Sequence, residues 1–328
     1  MKAPKFWNSG ASSLVPQMLA PLSAVYQLAN WLHRSRMKTE TVSVPVICIG
    51  NVVAGGAGKT PVAIAIAQFL EKLGWVPHFL SRGYGGSLEG PERVVLDVHD
   101  ASMVGDEPLL LAGVAPTWVA KDRLAGAKAA IAAGANVIVM DDGLQNPSIE
   151  KTISVLVIDG DFGVGNGRLM PAGPLREAPS SAVKKSDAIV VVGDTAIKLQ
   201  FDTGNVPVFR ARIVPHALQS ELVGEKVVAF AGIGRPGKFF KSLELAGADI
   251  VAAVEFADHH PFSQNDIMKL VEKASLHNAA LVTTRKDYVR LPIDAKMMTT
   301  VFDIDLLFEK PKTLQNLLIE SLGNREHA

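Results

Sequence analysis

Residues 50–61 read GNVVAGGAGKTP, a glycine-rich stretch ending in Lys59-Thr60. An apolar, β-rich run at 44–50 precedes it and a helical pattern at 61–73 follows, the context that a phosphate-binding loop requires. Small glycines let backbone N–H groups approach phosphate oxygens, and a helix N-terminus adds partial positive charge. The candidate cradle is Val53, Ala54, Gly55, Gly56, Ala57, Gly58, Lys59 and Thr60. Lys59 is expected to reach the β/γ-phosphates, and the Thr60 hydroxyl to ligate Mg²⁺. The first glycine of G-x-x-x-x-G-K-[ST] would fall at Val53, so the loop fits a GG-x-GKT variant instead. Ala54 stands where that variant often carries a further lysine, so any transfer-assisting cation must come from elsewhere. The bland alternative is a chance GKT in a glycine-rich turn.

Other residue types suit the same chemistry. Residues 137–143 read VIVMDDG, a β-branched run ending in Asp141-Asp142 that looks like the strand whose carboxylate holds Mg²⁺. Asp106-Glu107 lie in VGDEP, where adjacent carboxylates divide into general base and metal partner, or form only a solvated acidic turn. SRGYGG at 81–86 offers Arg82 and Tyr84 for phosphate or substrate contact, or is a surface turn. Arg123 in KDRLAG and Arg176 in PAGPLRE are candidates for stabilising transition-state charge. Residues 256–262 read FADHHPF; adjacent His259 and His260 cannot share one metal in the i, i+4 manner, and one His paired to a carboxylate is the better functional idea.

Two series of elements must position these groups. Strands are expected at 44–50, 76–80, 137–140, 154–158 and 188–192, with helices at 61–73 and 122–133. A second series has strands at 206–213, 227–231, 250–255, 280–284 and 300–304, with helices at 236–246, 264–276 and 312–322. Short apolar runs alternating with helices read as parallel strands buried on both faces. The fold class is therefore α/β: a P-loop NTPase-type, mostly parallel sheet domain with a second, smaller α/β domain and an N-terminal amphipathic helix. The expected limits are 1–38 for the helical segment, 39–213 for the nucleotide-binding domain and 214–328 for the smaller domain closing a cleft.

Composition agrees with a folded two-domain chain: 328 residues, 48% hydrophobic and 20% charged. The single Cys48 excludes an internal disulfide framework and a multi-Cys zinc site. Basic and acidic residues balance at 33 each, which argues against a generic nucleic-acid binder. The balance hides an asymmetry: residues 1–39 hold Lys2, Lys5, Arg34, Arg36 and Lys38 and no acid, a +5 arm on a −5 body. Within that arm residues 6–32 are uncharged, and Val15, Met18, Leu22, Val25, Ala29 and Leu32 recur at helical spacing. Pro16 and Pro21 place the expected start of the continuous helix near Pro21. Such a helix is too short for a bilayer, which takes ~20 apolar residues. It either packs on the body or lies in a membrane interface, with Trp7, Tyr26 and Trp31 as anchors and the basic cluster meeting anionic lipid.

Taken together, the motifs resemble those of the tetraacyldisaccharide 4′-kinase family. The resemblance covers nearly the whole chain, through GNVVAGGAGKTP, SRGYGG, VGDEP, DDGLQ, GNGRLMPAGPLRE, FADHHPF and LVTTRKD in that order. It implies transfer of the γ-phosphoryl group of ATP to the 4′-hydroxyl of a tetraacylated disaccharide 1-phosphate, at the cytoplasmic face of the inner membrane in Gram-negative bacteria. The cofactors would be ATP and Mg²⁺. The partners would be a membrane-embedded acylated disaccharide 1-phosphate lipid and an anionic membrane surface, with no nucleic acid or protein partner. By the same resemblance Asp106 is the catalytic base with His259 as its partner, and Asp141, Glu107 and Asp142 organise the metal. Arg123 and Arg176 handle phosphate, while Arg82, Tyr84, Gln145 and Asn51 line the site. Two positions depart from the pattern: Asn146 replaces the His that commonly follows DDGLQ, and Arg285 replaces the Glu of TTEKD. Rival readings are a P-loop NTPase acting as a metallochaperone or partner-switching module, a membrane-peripheral binder with a degenerate nucleotide site, and a cytosolic sugar kinase.

Overall fold

The computed structural model describes residues 4–10, 14–193, 199–216 and 220–323. The first strands are β1 (Val46–Gly50), β2 (Pro77–Ser81), β3 (Glu92–Arg93), β4 (Thr117–Val119) and β5 (Val137–Asp141). They are followed by β6 (Ile153–Asp159), β7 (Ala188–Val192) and β8 (Val208–Pro215). The remaining strands are β9 (Lys226–Ala231), β10 (Asp249–Glu255), β11 (Ala280–Thr284), β12 (Thr299–Phe302) and β13 (Ile304–Phe308).

A nine-stranded sheet has the order β13-β8-β7-β6-β1-β5-β2-β4-β3, and a four-stranded sheet the order β10-β9-β11-β12. The smaller sheet is parallel throughout; in the larger one only the edge strands β3 and β13 run antiparallel to their neighbours. Every residue of β1, β2, β5, β6 and β7 is buried, because helices cover both faces of the sheet. On one face the helix Lys59–Lys72 inserts Val62, Ile66 and Leu70 among Ile47, Ile49, Phe79 and Val155. On the other, Cys48, Leu156 and Ile158 meet Leu144 and Leu175. Burial pushes the Cys48 thiol up to about 11, so it packs as an apolar group and not as a nucleophile.

Two expectations are corrected. The unit expected at 214–328 divides: β9 to β12 form the small sheet, whereas β13 and the helix Pro311–Leu322 return to the large one. The reason is burial, since Leu314 and Leu318 complete the core against β6 to β8. The single strand expected at 300–304 is likewise two, β12 and β13, one in each sheet, with Asp303 at the crossing. The chain's other crossing lies beside it: His216 N–H donates to the Asp303 carbonyl at 3.0 Å. Arg285 ion-pairs with the Asp303 carboxylate, so the departure from TTEKD serves this crossover and no site role falls to it.

The N-terminal helix runs Val15–Ser35, six residues earlier than expected, with Pro16 in its first turn and Pro21 inside it. Pro16 costs no hydrogen bond there, and Pro21 removes only one N–H donor on an exposed turn. The helix is turned with its polar strip inward. Ser23 Oγ donates to the Leu169 carbonyl at 2.9 Å, and Gln27 Nε2 to the Arg176 carbonyl at 3.3 Å. Met18, Leu22, Val25, Leu28 and Trp31 face solvent. Of the three expected anchors Trp31 alone is exposed; Tyr26 is half-buried and Trp7 donates its indole N–H to the Pro171 carbonyl. Among the described residues, no helix is long and apolar enough to cross a membrane.

Candidate active site

Strands β1, β2, β5 and β6 end at Gly50, Ser81, Asp141 and Asp159, so the loops carrying the candidate chemistry leave one carboxyl edge of the sheet. Ligands of open α/β sheets bind at that edge. Gly58 caps the helix Lys59–Lys72 at φ 83°, a left-handed conformation that glycine adopts without steric cost, and thereby turns the loop into the helix.

The cradle is shorter than expected. Ala54 N–H donates to the Pro174 carbonyl at 2.8 Å, and Val53 is buried in a bridge to Leu175. These two residues fasten the loop to the 174–176 segment, which leaves 55–60 as the stretch from which a phosphate cradle could be built. Asn51 is fully buried and closes the loop through Nδ2 to the Gly55 carbonyl at 3.4 Å, while its Oδ1 has no hydrogen-bond partner. Gln145 Nε2 is likewise engaged by the Asn51 carbonyl at 2.7 Å and by Glu177 at 3.1 Å. Both residues expected at the substrate thus also support the loop through their amide N–H groups. Asn146 Oδ1 accepts from the backbone and hydroxyl of Ser148, forming a local turn.

Lys59 and Arg176 converge on Asp142. Arg176 Nη1 donates to both Asp142 oxygens at 2.9 Å, and Lys59 Nζ lies 3.8 Å away. Burial alone would raise the Asp142 pKa, but these cations hold it below the usual carboxylate range. Asp142 thus pairs with two cations, Lys59 and Arg176, at a position where metal coordination was expected. Asp141 is different. It is buried, Oδ2 accepts from Thr60 Oγ1 at 3.3 Å, and Oδ1 has no hydrogen-bond partner. Burial, and then the charge of Glu107, push its carboxyl up to about 7. An orphaned buried oxygen beside a hydroxyl, ionised only at a cost, fits a hard divalent cation that takes oxygen ligands. Among the described residues no three His, Cys, Asp or Glu side chains form a complete cage. Mg²⁺ does not require one when substrate phosphates and water supply the rest.

Arg123 is buried, with Nη1 donating to the Ala120 carbonyl at 2.7 Å and Nε without a partner. Burial, and then Arg82, lower its pKa to about 10. Asp141 and Asp142 act in the opposite sense, so an anion there would be met by a guanidinium already desolvated. Arg82 and Tyr84 are exposed; the Tyr84 ring stands edge-on to His259, 6.1 Å between centroids.

The small sheet delivers the remaining groups. His259 follows β10 and reaches across to Asp106, its Nδ1 2.9 Å from Oδ2. An ionised carboxylate only accepts, so Nδ1 carries the proton toward Asp106, while Nε2 lies 3.7 Å from the Asp258 carboxylate. His259 adopts φ 58°, while His260 stacks on Phe256 and bonds to Asp266 at 3.1 Å. The two histidines therefore divide, one facing the site and one buttressing its own loop. Burial would raise the Asp106 pKa, but the hydrogen bond from His259 and the charge of Lys286 and Arg290 bring it down to about 2.

Lys286 and Arg290 carried no expected role. Lys286 Nζ lies 3.7 Å from both Asp106 and Glu107, and Arg290 Nε 3.7 Å from Asp106. Lys286 lies in the short helix Arg285–Tyr288 and Arg290 in the turn that follows it, and their i, i+4 spacing in RKDYVR is a signal open to sequence reading. A second polar seam joins the units at Asp159, which receives Arg235 at 2.6 Å and Lys238 at 3.0 Å, with Arg235 over the Phe162 ring.

The depressed Asp106 pKa makes a prediction about acid stability. The folded pKa lies below the unfolded value near 4, so the unfolded chain binds more protons between about pH 4 and pH 2. The carboxylate's contribution, roughly 2 kcal/mol, is present above that window and lost as pH falls through it. Urea midpoints followed from pH 6 downward should fall more steeply for the wild-type chain than for Asp106→Asn. Parallel acid limbs would contradict the pairing.

A family model described as "LpxK: Tetraacyldisaccharide-1-P 4'-kinase" matches residues 15–323. The chain is 49% identical over 319 residues to the tetraacyldisaccharide 4'-kinase of Paramagnetospirillum magneticum, covering 97% of this chain and 98% of that one. It is 46% identical over 331 residues to that of Rhodospirillum centenum, covering 99% and 98%. A crystal structure titled as the "apo" form of LpxK from Aquifex aeolicus in complex with ATP superposes with a TM-score of 0.75 at 23% identity, covering 94% of this chain and all of that one. That likeness shows the same fold.

Proposed function

The chain belongs to the tetraacyldisaccharide-1-P 4'-kinase family, and from that premise we propose how its own residues carry the reaction. It is an ATP-dependent lipid kinase that transfers the γ-phosphoryl group to the 4'-hydroxyl of a tetraacyldisaccharide 1-phosphate in lipid A biosynthesis. Family membership decides against the partner-switching NTPase and the degenerate binder.

Little covalent work falls to the protein in phosphoryl transfer, so positioning and charge dominate. The loop at 55–60 cradles the phosphates, and Lys59 leaves Asp142 to pair with their oxygens. Thr60 and Asp141 would hold Mg²⁺, with Glu107 beside them. When bound, that ion neutralises charge on the β- and γ-phosphate oxygens. Arg176 and Arg123 face the charge that develops during transfer. Asp106 accepts the proton of the sugar hydroxyl, and His259 fixes the carboxylate by donating to Oδ2. Arg82 and Tyr84 line the open edge, where the acceptor enters. Domain closure over this edge would exclude water and favour the sugar over hydrolysis.

The observation that carries the assignment is the 2.9 Å contact between Asp106 of the large unit and His259 of the small one. It puts a fixed base at the seam where an acceptor must enter. The test is incubation with γ-labelled ATP and the disaccharide 1-phosphate lipid. Label should enter the lipid, dependent on Mg²⁺ and Lys59; label appearing only in inorganic phosphate would refute the reading.

The N-terminal helix supports peripheral attachment to the cytoplasmic face of the bacterial inner membrane. A four-chain lipid stays in the bilayer, and the enzyme must meet it there. The exposed stripe Met18, Leu22, Val25, Leu28 and Trp31, together with the +5 arm, supplies an apolar and an electrostatic signal. Deleting residues 1–38 should release the protein from anionic liposomes in a sedimentation assay. Replacing a single basic residue of the arm should weaken binding roughly fivefold, the equivalent of ~1 kcal/mol per surface charge. Sedimentation equal to the full chain would assign the contact to another surface.

A further inference from the structure

The phosphate loop has Ala54 where a further lysine is common, which leaves open where a transfer-assisting cation originates. The small unit presents two cations to Asp106, and their surroundings separate them. Arg290 donates from Nε to the Lys286 carbonyl at 3.2 Å, from Nη1 to the His260 carbonyl at 3.1 Å and from Nη2 to the Gly232 carbonyl at 2.9 Å. It also pairs with the fully buried Asp287. Its donors are committed to building the turn.

Lys286 sits on that turn. Thr284 caps it by accepting from Asp287 N–H at 3.1 Å, and Asp287 Oδ1 in turn accepts from Gly232 N–H at 2.8 Å, tying the turn to the end of β9. The backbone of Lys286 is thus held from three sides. Among the described residues its ammonium makes two ion pairs, 3.7 Å to Asp106 and 3.7 Å to Glu107, both too long for hydrogen bonds. This positioned lysine faces the carboxylate proposed to meet the acceptor hydroxyl and the carboxylate whose charge acts most strongly on Asp141.

We propose that Lys286 is the transfer-assisting cation of this kinase, supplied by the small unit, and that its ammonium contacts the phosphoryl group as it passes from ATP to the sugar. The assignment rests on the kinase reading above. In the step, the bond between the bridging oxygen and the γ-phosphorus breaks and leaves ADP. The acceptor oxygen forms the new bond to phosphorus, and the hydroxyl proton goes to Asp106. Negative charge spreads over the equatorial oxygens meanwhile, and Lys286 donates to them. Because it comes from the second unit, the full charge complement assembles only when the two units meet, which couples transfer to closure.

The experiment compares Lys286→Met and Lys286→Arg with the wild-type full chain, at saturating ATP and Mg²⁺ with the acceptor lipid in mixed micelles. Thermal midpoints are recorded alongside. Lys286→Met should lower kcat by roughly 10²–10³-fold, the usual cost of one donor to developing charge. Its KM for ATP should stay within about threefold, since the interaction belongs to the transition state. Lys286→Arg should recover at least about tenfold of the lost kcat, because it restores a cationic donor. Near wild-type kcat for Lys286→Met would overturn the proposal, as would a loss confined to KM or an arginine variant no better than methionine. If Lys286→Met melts early, Lys286→Gln carries the comparison with the same outcomes. Absence of label in lipid with the wild-type chain would instead refute the kinase reading.

Discussion

Asp106→Ala should lower kcat by roughly 10²–10⁴-fold, the range of a positioned general base. The argument begins with placement. Asp106 opens the short helix Asp106–Ala112, is buried, and accepts a proton-bearing nitrogen from the opposite unit. Three cationic or proton-donating groups hold it ionised, at a pKa of about 2. So weak a base cannot remove a sugar proton ahead of transfer. It need not, because a loose transition state forms the new oxygen–phosphorus bond late, and the hydroxyl becomes acidic only then. A carboxylate fixed in the ionised state at that point serves better than a stronger base that is half protonated. Asp106→Asn keeps the shape and removes the acceptor, so it should lose kcat comparably while KM for ATP stays nearly constant. Turnover near the wild-type level in a correctly folded Asp106→Ala protein would remove Asp106 from the mechanism.

Lys59→Ala should lower kcat by roughly 10²–10³-fold with an added rise in KM for ATP. Lys59 is buried and lies 3.8 Å from Asp142, which Arg176 grips from the other side. Its removal deletes the cation for the β/γ-phosphates and leaves Asp142 less compensated among carboxylates. Two losses of different kind therefore fall together: ground-state binding, read as KM or as ATP affinity by calorimetry, and transition-state charge, read as kcat. An alanine variant that binds ATP like the wild type but fails to turn over would restrict Lys59 to the second role. Unchanged kcat would remove it from both.

Much of the site was legible in the chain because its signals are local. GNVVAGGAGKTP needs only its flanking strand and helix to become a loop at a helix N-terminus. VIVMDDG reads as a buried strand ending in carboxylates because every side chain before Asp141 is apolar. Helices at 236–245 and 264–277 followed their apolar period to within a residue or two of the expected ends.

What escaped reading is long-range. β13 and the helix Pro311–Leu322 look like a continuation of the second series, yet their apolar faces are taken up by the first core. Asn51 and Gln145 have the residue types of ligand contacts, but Asn51 Nδ2 is bound within its own loop and Gln145 Nε2 to the Asn51 carbonyl, partners that residue type alone does not show. Lys286 and Arg290 stand about 180 residues from Asp106 in the chain and within 3.7 Å of it in space.

The sequence by itself determined the class of fold, the phosphate loop, the carboxylate strand and the amphipathic period of the arm, since each is a pattern over adjacent residues or single turns. Tertiary structure alone decided that His259 and not His260 meets Asp106, that Asp142 grips cations while Asp141 keeps an orphaned oxygen, and that the arm turns its apolar strip outward. Those choices follow from burial and charge pairing between segments far apart in the chain. The free energy of such a pairing exists only once two separate cores have packed and brought the partners within a few ångströms.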